Sequence, residues 1–148
     1  MPSADGQAAP CGRFLVEHHI GFLLRRAHQR HVALFLELTS HYGLTPTQFT
    51  ALFKAVELGR VTQNLLGRLA AMDPATVQGV AQRLVARGLL QRTQDPMDRR
   101  TVVLTPTEAG TAMIDRTVAC AQQSHDAALA PLTMDERAQL LALLRKLA

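Results

Sequence analysis

The stretch that decides the fold runs from Asp73 to Gly110, DPATVQGVAQRLVARGLLQRTQDPMDRRTVVLTPTEAG. It opens with Asp73-Pro74, an N-cap followed by the residue best suited to a first helical position. Val77, Val80, Ala81, Leu84 and Val85 recur at helical spacing, so one stripe of this helix faces a core. The opposite face carries Ala75, Thr76, Gln78, Gly79, Gln82, Arg83 and Ala86, with one cation and no carboxylate. Gly88 stands where a helix ends. Leu89 to Arg92, a polar turn closing on Asp98-Arg99-Arg100, and Thr101 to Leu104 then read as a short β-hairpin with a basic tip. A helix with a slim polar face followed by a basic hairpin predicts a winged helix. Its helix fits a DNA major groove, and its wing fits the adjacent minor groove or backbone.

Helix starts and stops extend the reading in both directions. Thr45-Pro46-Thr47-Gln48 and Thr105-Pro106-Thr107-Glu108 each combine a capping Thr, Pro at the first position and Gln or Glu three residues on. Thr133 to Glu136 repeats the box without Pro, and Thr62 is a weaker start. Gly43, Gly59 and Gly88 mark ends. The predicted order is a long helix over about 13–41, helices near 46–58, 63–71 and 74–87, a hairpin over 89–104, and helices over 106–129 and 134–147. The helices near 63–71 and 74–87 are separated by little more than Met72-Asp73. That connection suits a helix-turn-helix with the second helix as reader.

These motifs carry a family resemblance, from about Phe14 to Leu147. The chain resembles the MarR family of transcriptional regulators, most specifically in Asp98-x-Arg100 and the following Val-Leu-Thr-Pro-Thr-Glu-Ala-Gly. The resemblance implies a mainly α winged helix-turn-helix with a small β-hairpin wing, dimeric through its terminal helices. It also implies a repressor whose DNA occupancy changes with a small ligand or an oxidant.

Composition agrees with a single ordered domain. The chain has 148 residues, 47% of them hydrophobic, enough to bury a core without staples. Residues 1–12, rich in Pro, Gly, Ala and Ser, read as a flexible tail, leaving 13–148 as one domain. Within it, 45–104 would be the DNA-binding lobe, with dimerisation helices over about 13–41 and 106–148. No apolar run has the length of a membrane span, and Met1 to Gly12 lacks the pattern of a secretory signal. Cys11 and Cys120 alone cannot form a dense disulfide framework, and a reducing cytoplasm is the expected compartment. The net charge of +4 is concentrated between residues 60 and 100, where seven arginines face three aspartates. Such an arginine-rich segment suits phosphate.

The expected DNA contacts follow from position. Gln78 and Gln82, one turn apart, can fork onto adenine; a merely solvated helix face is the plainer alternative. Gly79 between them costs about 1 kcal/mol relative to Ala in a helix interior, which suggests close backbone approach. Thr76, Arg83, Arg92 and Arg99 are expected at phosphates. Thr62, Gln63 and Asn64, with Ala75, complete the set. In the wing, Asp98 would orient the guanidinium of Arg100 from the same side of a strand, and the resemblance implies that Arg100 enters the minor groove. A surface ion pair of little energetic weight is the alternative.

At the ends of the chain, Phe14, Leu15, Phe22, Leu23, Leu34, Phe35 and Leu38, together with Leu140, Leu141, Leu143, Leu144 and Leu147, exceed what one small core needs. A second copy covers them most simply, and a pseudo-palindromic operator calls for two readers. An intramolecular core is the competing reading.

The resemblance places a ligand cleft between the first helix, the helix near 46–58 and the reading lobe. His18, His19, Phe22, Arg26, Phe49 and Phe53 are the candidates, with Arg116 a further possibility, and their chemistry suits a small aromatic carboxylate. Ordinary core roles for the phenylalanines are the alternative. Five of six histidines lie near the first helix, and His28 and His31, three apart, are a conceivable metal pair without supporting ligands. Cys11 could report oxidation, although the tyrosines that such a mechanism calls on reduce to Tyr42. Redox or metal sensing on the same fold are therefore alternatives, and a dimeric interaction module without DNA binding is a third. There is no Gly-rich phosphate loop, no nucleophile paired by motif with a His and no informative carboxylate pair. The sequence reads as a regulator without cofactors rather than an enzyme.

Overall fold

The computed structural model describes residues 14–148, so the expected tail and Cys11 lie outside the described residues. The elements are α1 (Ile20–Thr39), α2 (Pro46–Leu58), β1 (Val61–Thr62), α3 (Gln63–Leu69), α4 (Pro74–Ala86), β2 (Leu90–Gln94), β3 (Val102–Pro106), α5 (Glu108–Leu129) and α6 (Met134–Leu147), with 3₁₀ turns at Val16–His18 and Ser40–Tyr42. The fold is mainly α, with a small antiparallel sheet ordered β1-β3-β2. It is a winged helix-turn-helix.

Local chemistry sets most boundaries. Thr45 with Gln48 and Thr133 with Glu136 form complete capping boxes. Asp73 accepts the Thr76 amide at 2.8 Å, and Thr62 accepts that of Leu65 at 3.2 Å. Gly43, Gly59 and Gly88 all take positive φ at the ends of their elements. Three boundaries differ from expectation. The first long helix starts at Ile20, because His19 is extended (φ −80°, ψ 137°) and offers no side-chain cap. The helix expected from Pro106 starts at Glu108, because Thr105 and Pro106 pair with Gln91 and Leu90 as strand β3. Thr107 caps it instead, accepting the Gly110 amide at 3.0 Å and donating to the Gly88 carbonyl at 2.7 Å. The turn between α3 and α4 spans Ala70 to Asp73 and puts Ala71 at φ 53°, a left-handed conformation that disfavours an L side chain.

The core lies in the middle of the chain. Leu44, Leu52, Leu66, Val77, Leu84, Leu90 and Leu104 are all at most 2% exposed. The predicted stripe on α4 is buried at Val77, Val80, Ala81 and Leu84, with Val85 half-buried. Two glycines permit the packing. A Cβ on Gly67 would meet Val77 and the Met72 carbonyl at 3.1–3.2 Å, and one on Gly110 would collide with the Leu89 carbonyl. The sheet ties the wing to the helix-turn-helix, since β1 leads straight into α3 and pairs Val61 with Leu104.

Candidate nucleic-acid interface and effector cavity

The reader face of α4 stands free. Ala75, Thr76, Gln78, Gln82 and Arg83 are exposed and Gly79 is half-buried. A Cβ on Gly79 would meet only the tip of Arg83 at 3.8 Å, so nothing in this chain demands glycine there. Packing within the protein therefore does not explain a residue that weakens the helix. Thr76 is partly committed: its hydroxyl donates to the Asp73 carboxylate at 2.6 Å. That bond, with the amide bond beside it, holds the Asp73 carboxyl below its usual range. The head of α4 is thus anchored by its own cap.

The start of α3 meets the base of the wing. Thr62, Gln63 and Asn64 share a cleft of about 120 Å³ with Arg100, Thr101 and Val102. Arg92, Arg99 and Arg100 are exposed. Asp98 acts differently from the expectation, because residues 98–100 form a turn rather than a strand. Its carboxylate accepts the Arg100 amide at 3.0 Å and the Thr101 hydroxyl at 2.8 Å. It shapes the turn, and the two side chains do not pair. Asp95 does the same at the other end, accepting the Met97 amide at 2.9 Å and the Arg60 guanidinium at 3.2 Å. The Met97 amide and then Arg60 hold its carboxyl low. Two of the seven arginines counted above thereby have structural partners. Arg60 pairs with Asp95, and Arg87 donates to the carbonyls of Tyr42 and Gly43.

The expected effector residues fall into two groups. Phe49 and Phe53 join Phe35 in an aromatic row, with ring centroids 5.5 and 5.9 Å apart. They line a cavity of about 290 Å³ with Val118, Ala121, Gln122 and His125. An adjoining space of about 170 Å³ adds His31, Phe35, Thr50 and Ser124. His18, His19, Phe22 and Arg26 lie elsewhere, around the start of α1, where Arg26 rests 6.0 Å from the Phe22 ring and Phe14 packs 5.3 Å from His19. Within one chain the two groups do not meet. Arg116 is occupied with its own helix, donating to the Ala112 carbonyl.

The imidazoles that do face the cavities are His31, which its spacing from His28 had marked only as half of a conceivable metal pair, and His125. His28, His31 and His125 also line a cleft of about 370 Å³ between α1, α5 and α6, beside Arg30 and a wall of leucines and alanines. No carboxylate lines it. Burial, and then the neighbouring His28 and His125, push the His31 pKa below its ordinary value. Among the described residues no three His, Cys, Asp or Glu side chains are set to share a metal ion.

Similar proteins agree with this geometry. The MarR family profile matches residues 44–102, from the head of α2 into the wing. The transcriptional repressor NicR of Pseudomonas putida is 39% identical over 132 residues, covering 89% of this chain and 84% of that one. A probable transcriptional regulator from Pseudomonas aeruginosa superposes with a TM-score of 0.85 at 45% identity, covering 90% of this chain and all of the other. BpsR of Bordetella bronchiseptica, whose DNA binding is regulated by 6-hydroxynicotinic acid, superposes at 0.86 with 38% identity, covering 92% and 97%. The chain belongs to the MarR family of transcriptional regulators.

Proposed function

We propose that this chain is a homodimeric repressor that binds a pseudo-palindromic operator and releases it when a small aromatic carboxylate binds. Residues 13–148 act as one domain, with the reading lobe at 45–104 between dimerisation helices. A DNA target puts the protein in the cytoplasm, and neither catalysis nor a cofactor has a place in this function. The observation that carries the reading is the exposed, carboxylate-free face of α4, with a glycine that its own chain does not require. Gln78 and Gln82 would read bases there. Thr62, Gln63, Asn64, Ala75, Thr76, Arg83, Arg92 and Arg99 would fix the docking, and Arg100, on the turn that Asp98 shapes, would enter the minor groove.

The second copy is required by α6. None of its residues is buried, and Leu140, Leu143 and Leu147 are exposed together with Phe14, Leu15, Ile20, Leu23 and Leu24. That is a large apolar face for a single small chain to leave in water. Dimerisation also offers a way to complete the effector site, since His18, His19, Phe22 and Arg26 of one chain could serve the Phe49 and Phe53 cavity of the other. The aromatic acid is supported by the cavity's rings and imidazoles and by what regulates BpsR. Such a ligand releases DNA only by preferring a form in which the readers are wrongly spaced; a tenfold effect needs about 1.4 kcal/mol of differential binding.

Paired substitutions test the docking. Gln82→Ala should cost about 1–3 kcal/mol on the best site and relax sequence preference there. Arg99→Ala should weaken binding to every duplex and reduce the salt slope by about one unit. Wild-type behaviour of both variants on specific and random DNA would overturn this docking.

A further inference from the structure

We propose that Arg87 is the positioning residue that holds the reader helix at a fixed pitch against the α1–α2 turn. The inference rests on the operator-binding reading of the protein.

Arg87 is the residue on which α4 ends. One terminal guanidinium nitrogen donates to the Gly43 carbonyl at 2.7 Å and the other to the Tyr42 carbonyl at 2.8 Å. These are short, charge-assisted bonds, and a planar fork across two successive carbonyls constrains direction as well as distance. Among the described residues no other side-chain hydrogen bond joins α4 to the segment between α1 and α2. The acceptor side is also built for the purpose. Gly43 sits at φ 64°, a conformation natural to glycine, and closes the 3₁₀ turn that follows α1.

Leverage makes this contact matter for reading. Thr76 lies eleven residues from Arg87, about 16 Å along a helix. A tilt of about 5° at the Arg87 end therefore moves the head of α4 by more than about 1 Å. Hydrogen bonds to base edges tolerate only a few tenths of an ångström. The apolar stripe of α4 fixes its depth in the core, and the fork adds a constraint on its angle. The turn is also a sensitive place to anchor it. Phe35 on α1 and Pro46 and Phe49 on α2 line one cavity and flank Tyr42-Gly43 on either side. Whatever spreads α1 from α2 moves the two carbonyls that Arg87 holds.

A positioning role differs from a phosphate contact in what it changes. The probes are a duplex selected by the wild-type protein from a random pool and a scrambled duplex of equal length. Arg87→Ala should reduce the preference for the selected duplex by about tenfold, out of a ratio of the order of 10³ or more. Its affinity for the scrambled duplex and its salt slope should match wild type, since no phosphate contact is lost. Arg87→Lys should show the same loss, because one ammonium keeps the charge but cannot fork onto both carbonyls. If Arg87→Ala is too unstable to measure, Arg87→Lys decides by the same ratio. Equal weakening on both duplexes with a slope smaller by about one unit would make Arg87 a phosphate contact and overturn the proposal. Unchanged preference in the variants, with wild type selecting a duplex, overturns it alone. A wild type that selects no duplex overturns the operator reading and this inference together.

Discussion

The reading lobe and the terminal helices solve the burial problem in opposite ways. Between Leu44 and Ile114 the chain closes on itself, with α2, α3, α4 and the sheet sharing one cluster of buried side chains. At the ends, Phe35 and Thr39 are the only buried residues of α1, and α6 has none. The lobe is complete as one copy, whereas the terminal helices carry apolar faces that one copy leaves in water. A fold of this kind separates the surface that reads from the surface that pairs, so the spacing of two readers can change without unfolding either.

Removing α6 should have the largest effect. A chain truncated before Met134 should aggregate or run as a monomer in light scattering, with operator affinity reduced by orders of magnitude, because folding and assembly are linked. Full-length protein that stays monomeric at micromolar concentration would break the comparison at its root. Next come two leucines that should behave differently. Leu84→Ala, in the lobe core, should cost about 3 kcal/mol whatever the protein concentration. Leu143→Ala should cost less, and its effect on melting temperature should vanish in protein dilute enough to separate the two copies and appear as the dimer forms. Parallel concentration dependence in the two variants would show that they belong to one cooperative core.

A smaller effect isolates strain within the lobe. Ala71→Gly relieves a left-handed residue but loosens the unfolded chain, leaving a net gain of about 0.5 kcal/mol in denaturant unfolding. A loss instead would mean that the Ala71 side chain is needed where it stands.

The smallest is the pH response of the terminal helices. The unfolded chain protonates His31 near 6.5, whereas the folded chain resists protonation until lower pH. The unfolded form therefore binds more protons in that window, and stability falls as pH drops from neutrality through 6.5 and below. His31→Gln should flatten this loss in thermal unfolding measured at neutral and mildly acidic pH. An undiminished slope in that variant would assign it to other groups.

What could be read in advance was local. Thr45, Thr62, Asp73 and Thr133 cap helices through their own neighbours, and Gly43, Gly59 and Gly88 end elements by their φ, so three or four residues suffice to recognise each. The burial of Val77, Val80, Ala81 and Leu84 followed from helical period. The misjudged features depend on distant partners. Thr105 looked like a cap, but its strand pairing with Gln91 overrides that propensity. Strand β1 has two residues, too few to show a period, and exists because Leu104 and Val103 are there to pair with it. Asp98 was expected to orient Arg100 from a strand, but it binds the backbone of a turn. Around Phe49 and Phe53, residue types suggested imidazoles with aromatics. Which histidines of the same chain face these phenylalanines depended on how α5 packs along α1 and α2, and they are His31 and His125.

The most direct test is the mass and salt dependence of the complex with a duplex selected from a random pool. The proposed repressor should bind as two chains per duplex, with affinity that falls steeply with salt, and should let go on adding 6-hydroxynicotinic acid, the acid that regulates BpsR. One chain per duplex, or a protein that prefers no sequence over any other, would contradict it.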